Sequence, residues 1–186
     1  ELEQTFLYLC LHDGGLLDMA DLGKNLQVKK PTAINFIALL EAAHLIHRLQ
    51  PFGYGKEILR GRSKVYLADA AIAPSVLLKG KSMLEDAGAM GAAVETAFFK
   101  HVFTRYYQQS VGFSYWRGKQ DHEVDIIAEV EGRLVPFEVK YRNQATGWSE
   151  LKGMVDFCRS RKVNLGYVIT KELEDFGIME REIDEG

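Results

Sequence analysis

Apolar positions recur along this chain with two periods, and the change from one to the other divides it. In the first third the spacing is helical. Phe6, Leu7, Leu9 and Cys10 predict a short helix that Gly14-Gly15 ends. Asp18 is placed to cap a second helix over Met19, Leu22 and Leu26. A third follows Lys30-Pro31, with Ile34, Ile37, Ala38, Leu40 and Leu45 at helical spacing. Residues 46–68 then hold two short β-prone stretches split by Pro51-Phe52-Gly53-Tyr54-Gly55. Three helices and a hairpin in that order predict a winged helix-turn-helix over residues 1–72. Past a glycine- and serine-containing boundary, residues 86–107 read as a long amphipathic helix. Strands are expected at 111–117, 122–130 and 134–141, a helix at 148–161 and a last apolar strand at 163–170. The order α-β-β-β-α-β predicts an α/β (α+β) domain with a mixed sheet over residues 73–186.

Side chains alternate along a strand, so Glu138 and Lys140 share one face and Phe137 and Val139 the other. If Glu131-Gly132 is a two-residue turn, Val130 pairs with Arg133 and the count places Asp125 opposite Glu138. Two carboxylates across a ladder repel each other. A hard divalent cation such as Mg²⁺ or Mn²⁺ reverses that repulsion, because it binds oxygen ligands. Glu95 falls on the helical face of Phe98, Phe99 and Val102, where an acid needs a partner. Glu95, Asp125 and Glu138 are therefore the candidate metal ligands. Lys140 completes a candidate catalytic set by stabilising charge at a phosphate. The competing reading is an exposed ion-pair ladder, with Glu123 opposite Lys140 in the same register.

Lys29, Lys30, Thr32 and Asn35 open the third helix, where a recognition helix meets base edges and phosphates. Arg60, Arg62 and Lys64 are expected to form a basic wing along the DNA backbone. Protein contact is the alternative use of such a unit. The formal net charge of −3 excludes a uniformly basic binder but not a local basic face. With 47% hydrophobic residues the chain can bury a core. Its two cysteines, Cys10 and Cys158, lie far apart with no metal-ligand spacing around them, so a reducing, cytoplasmic setting is expected. No apolar run approaches the roughly 18–20 residues needed to span a bilayer. The chain starts at Glu1 in a helical pattern, which reads as a segment of a longer protein.

Glu95, then Asp125, then Glu138-x-Lys140 within that element order resembles the PD-(D/E)XK nuclease superfamily. The run YWRGKQDHEVDIIAEVEGRLVPFEVKYR resembles the DUF4143 region found at the C-terminus of many bacterial and archaeal AAA-type ATPases. PTAINFIALLEAAHLIHRLQPF and KVYLADAAIAPSVL fit the upstream part of that group. The likeness departs at Val124-Asp125, where the superfamily has Pro-Asp. It implies a nuclease-like fold and a Mg²⁺- or Mn²⁺-dependent site hydrolysing DNA phosphodiesters. It also implies a partner ATPase module upstream of Glu1, since no GxxxxGK[ST] loop occurs here. The alternative it leaves is a non-catalytic DNA- or protein-binding adaptor of such an ATPase.

Overall fold

The computed structural model describes residues 1–53 and 62–182. Helix α1 (Leu2–Leu11) runs into a turn at Gly14 (φ +73°), whose amide donates to the Val65 carbonyl. A two-residue strand β1 (Leu16–Leu17) follows. Asp18 caps α2 (Met19–Asn25), accepting from the amides of Ala20 (2.8 Å) and Asp21 (3.3 Å). Pro31 sits in the first turn of α3 (Lys30–Ala42), where no amide donor is needed. Strands β2 (Ile46–Pro51) and β3 (Ser63–Leu67) pair antiparallel, with β1 on the far edge of β3. A short helix α4 (Ile72–Val76) and a 3₁₀ segment (Gly80–Glu85) lead to the long α5 (Ala87–Tyr106), capped by Asp86. The chain ends in β4 (Val111–Arg117), β5 (Glu123–Val130), β6 (Arg133–Lys140), α6 (Lys152–Arg161) and β7 (Tyr167–Thr170).

The strands form one mixed sheet in the order β1-β3-β2-β4-β5-β6-β7. It runs across the boundary expected near residue 72, because β2 pairs parallel with β4 through Gln50↔Ser114 and Pro51↔Tyr115. β4, β5 and β6 are an antiparallel meander, and β7 adds parallel to β6. The final strand begins at Tyr167, later than the apolar run from Val163 predicts, and α6 before it ends at the left-handed Lys162 (φ 54°).

Alternation decides what each strand face buries. On β3, Val65 and Leu67 enter a core with Leu9, Leu22, Ile37 and Ile46. Tyr66, between them, points instead to α5 and stacks on Phe99 with ring centroids 4.6 Å apart. Lys64 shares the Tyr66 side. All five residues of β3 are buried, so this strand is covered on both faces. On β5, Val124 and Ile127 pack with Leu151, Met154 and Phe157 around α6, whereas Ile126 joins Phe99 and Phe137.

The hairpin count holds as far as Ile126↔Phe137, one pair short of the expected Asp125–Glu138 pairing. Glu131 (φ 51°) and Gly132 (φ 76°) both adopt positive φ, the requirement of a type I′ turn, and Val130 pairs with Arg133. The ladder β5–β6 continues to Ile126↔Phe137. On the other side of β5 the register shifts from Ser114↔Ile127 to Trp116↔Val124, so Tyr115 faces two residues, Asp125 and Ile126. This β-bulge re-aims the Asp125 side chain next to the end of the hairpin ladder.

Candidate functional site

Strand β3 delivers Lys64 and Tyr66, α5 delivers Glu95, β5 delivers Glu123 and Asp125, and β6 delivers Glu138 and Lys140. The Lys64 ammonium lies 2.8 Å from Glu95, 2.9 Å from Glu123 and 3.0 Å from Asp125. Only 3% of the lysine is exposed. The Tyr66 hydroxyl donates to Glu95 Oε1 at 2.6 Å. Gly14 passes close to this point, where a Cβ would stand 3.7 Å from Glu95 Oε1, and its positive φ is what favours glycine there.

Asp125 and Glu138 substitute for the ladder hydrogen bonds that end at Ile126. Asp125 Oδ2 accepts from the Val139 amide at 2.9 Å, and Glu138 Oε2 accepts weakly from the Asp125 amide at 3.4 Å. Glu138 Oε1 takes the Lys140 ammonium at 2.5 Å. The expected Glu123–Lys140 ladder does not form: Glu123 belongs to Lys64 and Lys140 to Glu138.

The electrostatics follow from burial and neighbours. Burial pulls the Lys64 ammonium down, but Glu95, Tyr66, Asp125 and Glu123 outweigh it and hold the lysine well above its ordinary range. Burial pushes the Glu95 carboxyl up, Lys64 opposes that, and Asp125 adds to it. Glu138 is raised to about 7 by burial and then by Asp125, against the pull of Lys140.

A divalent cation needs several oxygens converging on one point, with water filling the rest of its shell. Among the described residues no group of three His, Cys, Asp or Glu side chains is arranged to hold a metal ion; the three carboxylates that do converge meet on Lys64 Nζ. The oxygens of Glu95 and Asp125 that would converge already face an ammonium. The donor set as folded therefore does not fit the metal expected on Glu95, Asp125 and Glu138.

The basic wing is also corrected. Lys64, expected along a DNA backbone, is buried because β3 is covered on both faces and alternation turns it toward α5. Arg62 remains exposed but pairs with Asp18, the α2 cap, at 3.2 Å. Arg60 lies outside the described residues. At the start of α3, Lys29, Lys30 and Asn35 are exposed and Thr32 is half-buried.

Asp13 is a buried acid that periodicity did not single out. Its carboxylate accepts from the Leu67 amide and from Thr96 Oγ1, both at 2.8 Å, tying the loop after α1 to β3 and α5. Burial raises its carboxyl against those hydrogen bonds. The available signal was Thr96, a polar residue beside Glu95 on an otherwise apolar helix face. No helix among the described residues is long and apolar enough to cross a membrane.

Two uncharacterized proteins, of Mycobacterium tuberculosis and Mycobacterium bovis, are each 27% identical to this chain over 142 residues. The match covers 75% of the chain and 32% of each relative, so the chain spans about a third of their length. A solved structure of an S. aureus MepR mutant bound to an oligodeoxyribonucleotide is similar at a TM-score of 0.31 and 26% identity, over 46% of this chain and 62% of that one. A MepR mutant from a multidrug-resistant S. aureus clinical isolate gives 0.30 and 21%, over 57% and 71%. Scores of that size do not establish a shared fold. Residues 1–83 match a domain of unknown function, DUF8612. Residues 90–184, just over half of the chain, match another, and by that match the chain belongs to the family described as Domain of unknown function (DUF4143).

Proposed function

We propose that this chain is a DNA-engaging adaptor of a larger, cytoplasmic AAA-type ATPase. In this reading a winged helix-turn-helix and a PD-(D/E)XK nuclease-like domain share one sheet, and the nuclease-type residues hold the fold together instead of holding Mg²⁺ or Mn²⁺. The observation that carries it is the buried Lys64 ammonium within 3.0 Å of three carboxylates, two of them expected metal ligands. DNA contact is assigned to the start of α3, where exposed Lys29 and Lys30 flank the helix N-terminus and Asn35 lies one turn on.

Metal-assisted cleavage by Glu95, Asp125, Glu138 and Lys140 is the second reading. The observation favouring it is the buried Glu138 carboxyl set between the Lys140 ammonium and Asp125, surroundings that raise it, burial first, as active sites do.

Incubating the purified chain with supercoiled plasmid in Mg²⁺ or Mn²⁺, and with duplex DNA in EDTA, separates the two. The adaptor reading predicts salt-dependent DNA binding that EDTA leaves unchanged, and an intact plasmid. Divalent-dependent nicking that Asp125→Asn abolishes would overturn it in favour of the nuclease.

A further inference from the structure

Acidic residues gathered at one place do not by themselves make a cation site. What distinguishes this cluster is that a cation is already in it. Lys64 comes from β3, far along the chain from its three partners, and reaches Glu95 on α5 and both Glu123 and Asp125 on β5. Its stem is buried beside Tyr66, whose hydroxyl fixes Glu95 Oε1, and the ammonium lies 5.7 Å from the Tyr66 ring centre. Asp125 is turned into this group by the bulge opposite Tyr115 and is held by the Val139 amide. The three partners come from two elements, and among the described residues the one cation that all three meet is the lysine's ammonium.

We infer that Lys64 is the resident cation of the acidic cluster, and that its ammonium and a divalent metal ion are alternative occupants of the same place. This rests on the reading of the nuclease-type residues as structural and extends it by naming what excludes the metal. The chemistry is simple competition. A hard cation needs the oxygens of Glu95 and Asp125, and both are within hydrogen-bond reach of Nζ. Removing the ammonium leaves three carboxylates facing a space lined by oxygen, with no counter-charge. That is the arrangement a divalent ion stabilises and an empty site does not. Lys140 cannot substitute, since it is committed to Glu138 on its own strand, β6.

Calorimetric titration with MnCl₂, alongside thermal melting with and without Mn²⁺, tests this on the unaltered chain, on K64M and on K64M combined with D125N. The unaltered chain is expected to show no binding at millimolar Mn²⁺ and no shift in Tm. K64M is expected to melt lower, to bind Mn²⁺ at least about tenfold more tightly than the unaltered chain, and to recover Tm when it does. Adding D125N should abolish the Mn²⁺ response. Should K64M fail to fold alone, refolding it in Mn²⁺ gives the same reading, with recovery of its circular dichroism as the expected result. A folded K64M that ignores Mn²⁺, or one that stays unfolded in it, overturns the inference while leaving the uncut-plasmid result intact. Divalent-dependent nicking by the unaltered chain overturns the adaptor reading itself.

Discussion

Two lysine–carboxylate groups, one reaching from β3 to α5 and β5 and one within β6, are balanced in opposite ways. Around Lys64, three carboxylates share one buried ammonium. Around Glu138, one buried carboxylate has one ammonium, that of Lys140, whose side chain is 25% exposed. The surplus of acid in the first raises the lysine, while the burial of the second raises the acid to about 7. Asp125 stands between them, as an ion-pair partner to Lys64 and as a repelling neighbour to Glu138. The lesson is that carboxylates close in space do not define a metal site until the internal cations facing them are counted.

The largest expected effect tests the first group. Replacing Lys64 with Met leaves three carboxylates without their counter-charge, and removing one partner of a buried ion pair costs about 3–5 kcal/mol. Urea denaturation of K64M measures this. A loss below about 1 kcal/mol, the worth of an exposed pair, would put the lysine in solvent instead.

Glu138→Gln tests the second group through pH. The folded-state value is near 7 against an ordinary 4.5. Between those values the folded chain keeps a proton that the unfolded chain has lost, so the group's contribution to stability falls as pH rises through that window. The variant should gain on the unaltered chain from pH 4.5 to 7 and level off above, by at most about 3.4 kcal/mol. Denaturation midpoints at pH 5 and pH 8 check it, and an equal difference at both would remove Glu138 from the comparison.

A smaller effect tests how the two groups are held in register. A Cβ on Gly153, at the start of α6, would lie 2.0 Å from the carbonyl oxygen of Glu123, a backbone atom that cannot step aside. Gly153→Ala should cost about 1–3 kcal/mol by lifting α6 off β5, with the Lys64 cluster loosening at its Glu123 edge. Chemical shifts of the Lys64 ammonium should move while those of Lys140 stay in place. Movement at Lys140 alone would contradict that assignment.

The smallest effect on stability comes from outside both groups. Lys29→Ala with Lys30→Ala should leave the unfolding free energy within about the ±0.5 kcal/mol of ordinary surface changes. It should weaken duplex binding and lower the salt slope by about one unit for each phosphate that is no longer neutralised. An unchanged salt slope would move any DNA-binding surface away from α3.

Local signals made much of this architecture legible. Asp18 and Asp86 mark helix starts, and both cap them through two amides. Glu131-Gly132 sets a register that runs from Val130↔Arg133 to Ile126↔Phe137. What the sequence concealed depends on packing between distant segments. A lysine in Arg-Ser-Lys-Val-Tyr reads as surface charge until α5 covers its strand. The β2–β4 pairing brings together residues more than sixty positions apart and leaves no periodic trace. The bulge at Asp125 is invisible in Glu-Val-Asp-Ile-Ile, yet it decides which cation that carboxylate meets.

A crystal of the unaltered chain soaked in Mn²⁺, with an anomalous difference map computed around Asp125 and Glu138, decides whether an ammonium or a metal ion occupies the acidic cluster. No anomalous peak is expected there, with Lys64 Nζ still within hydrogen-bond distance of Glu95, Glu123 and Asp125. A peak at about 2.1–2.2 Å from oxygens of Asp125 and either Glu95 or Glu138, with the ammonium of Lys64 swung away, would contradict occupancy by the ammonium.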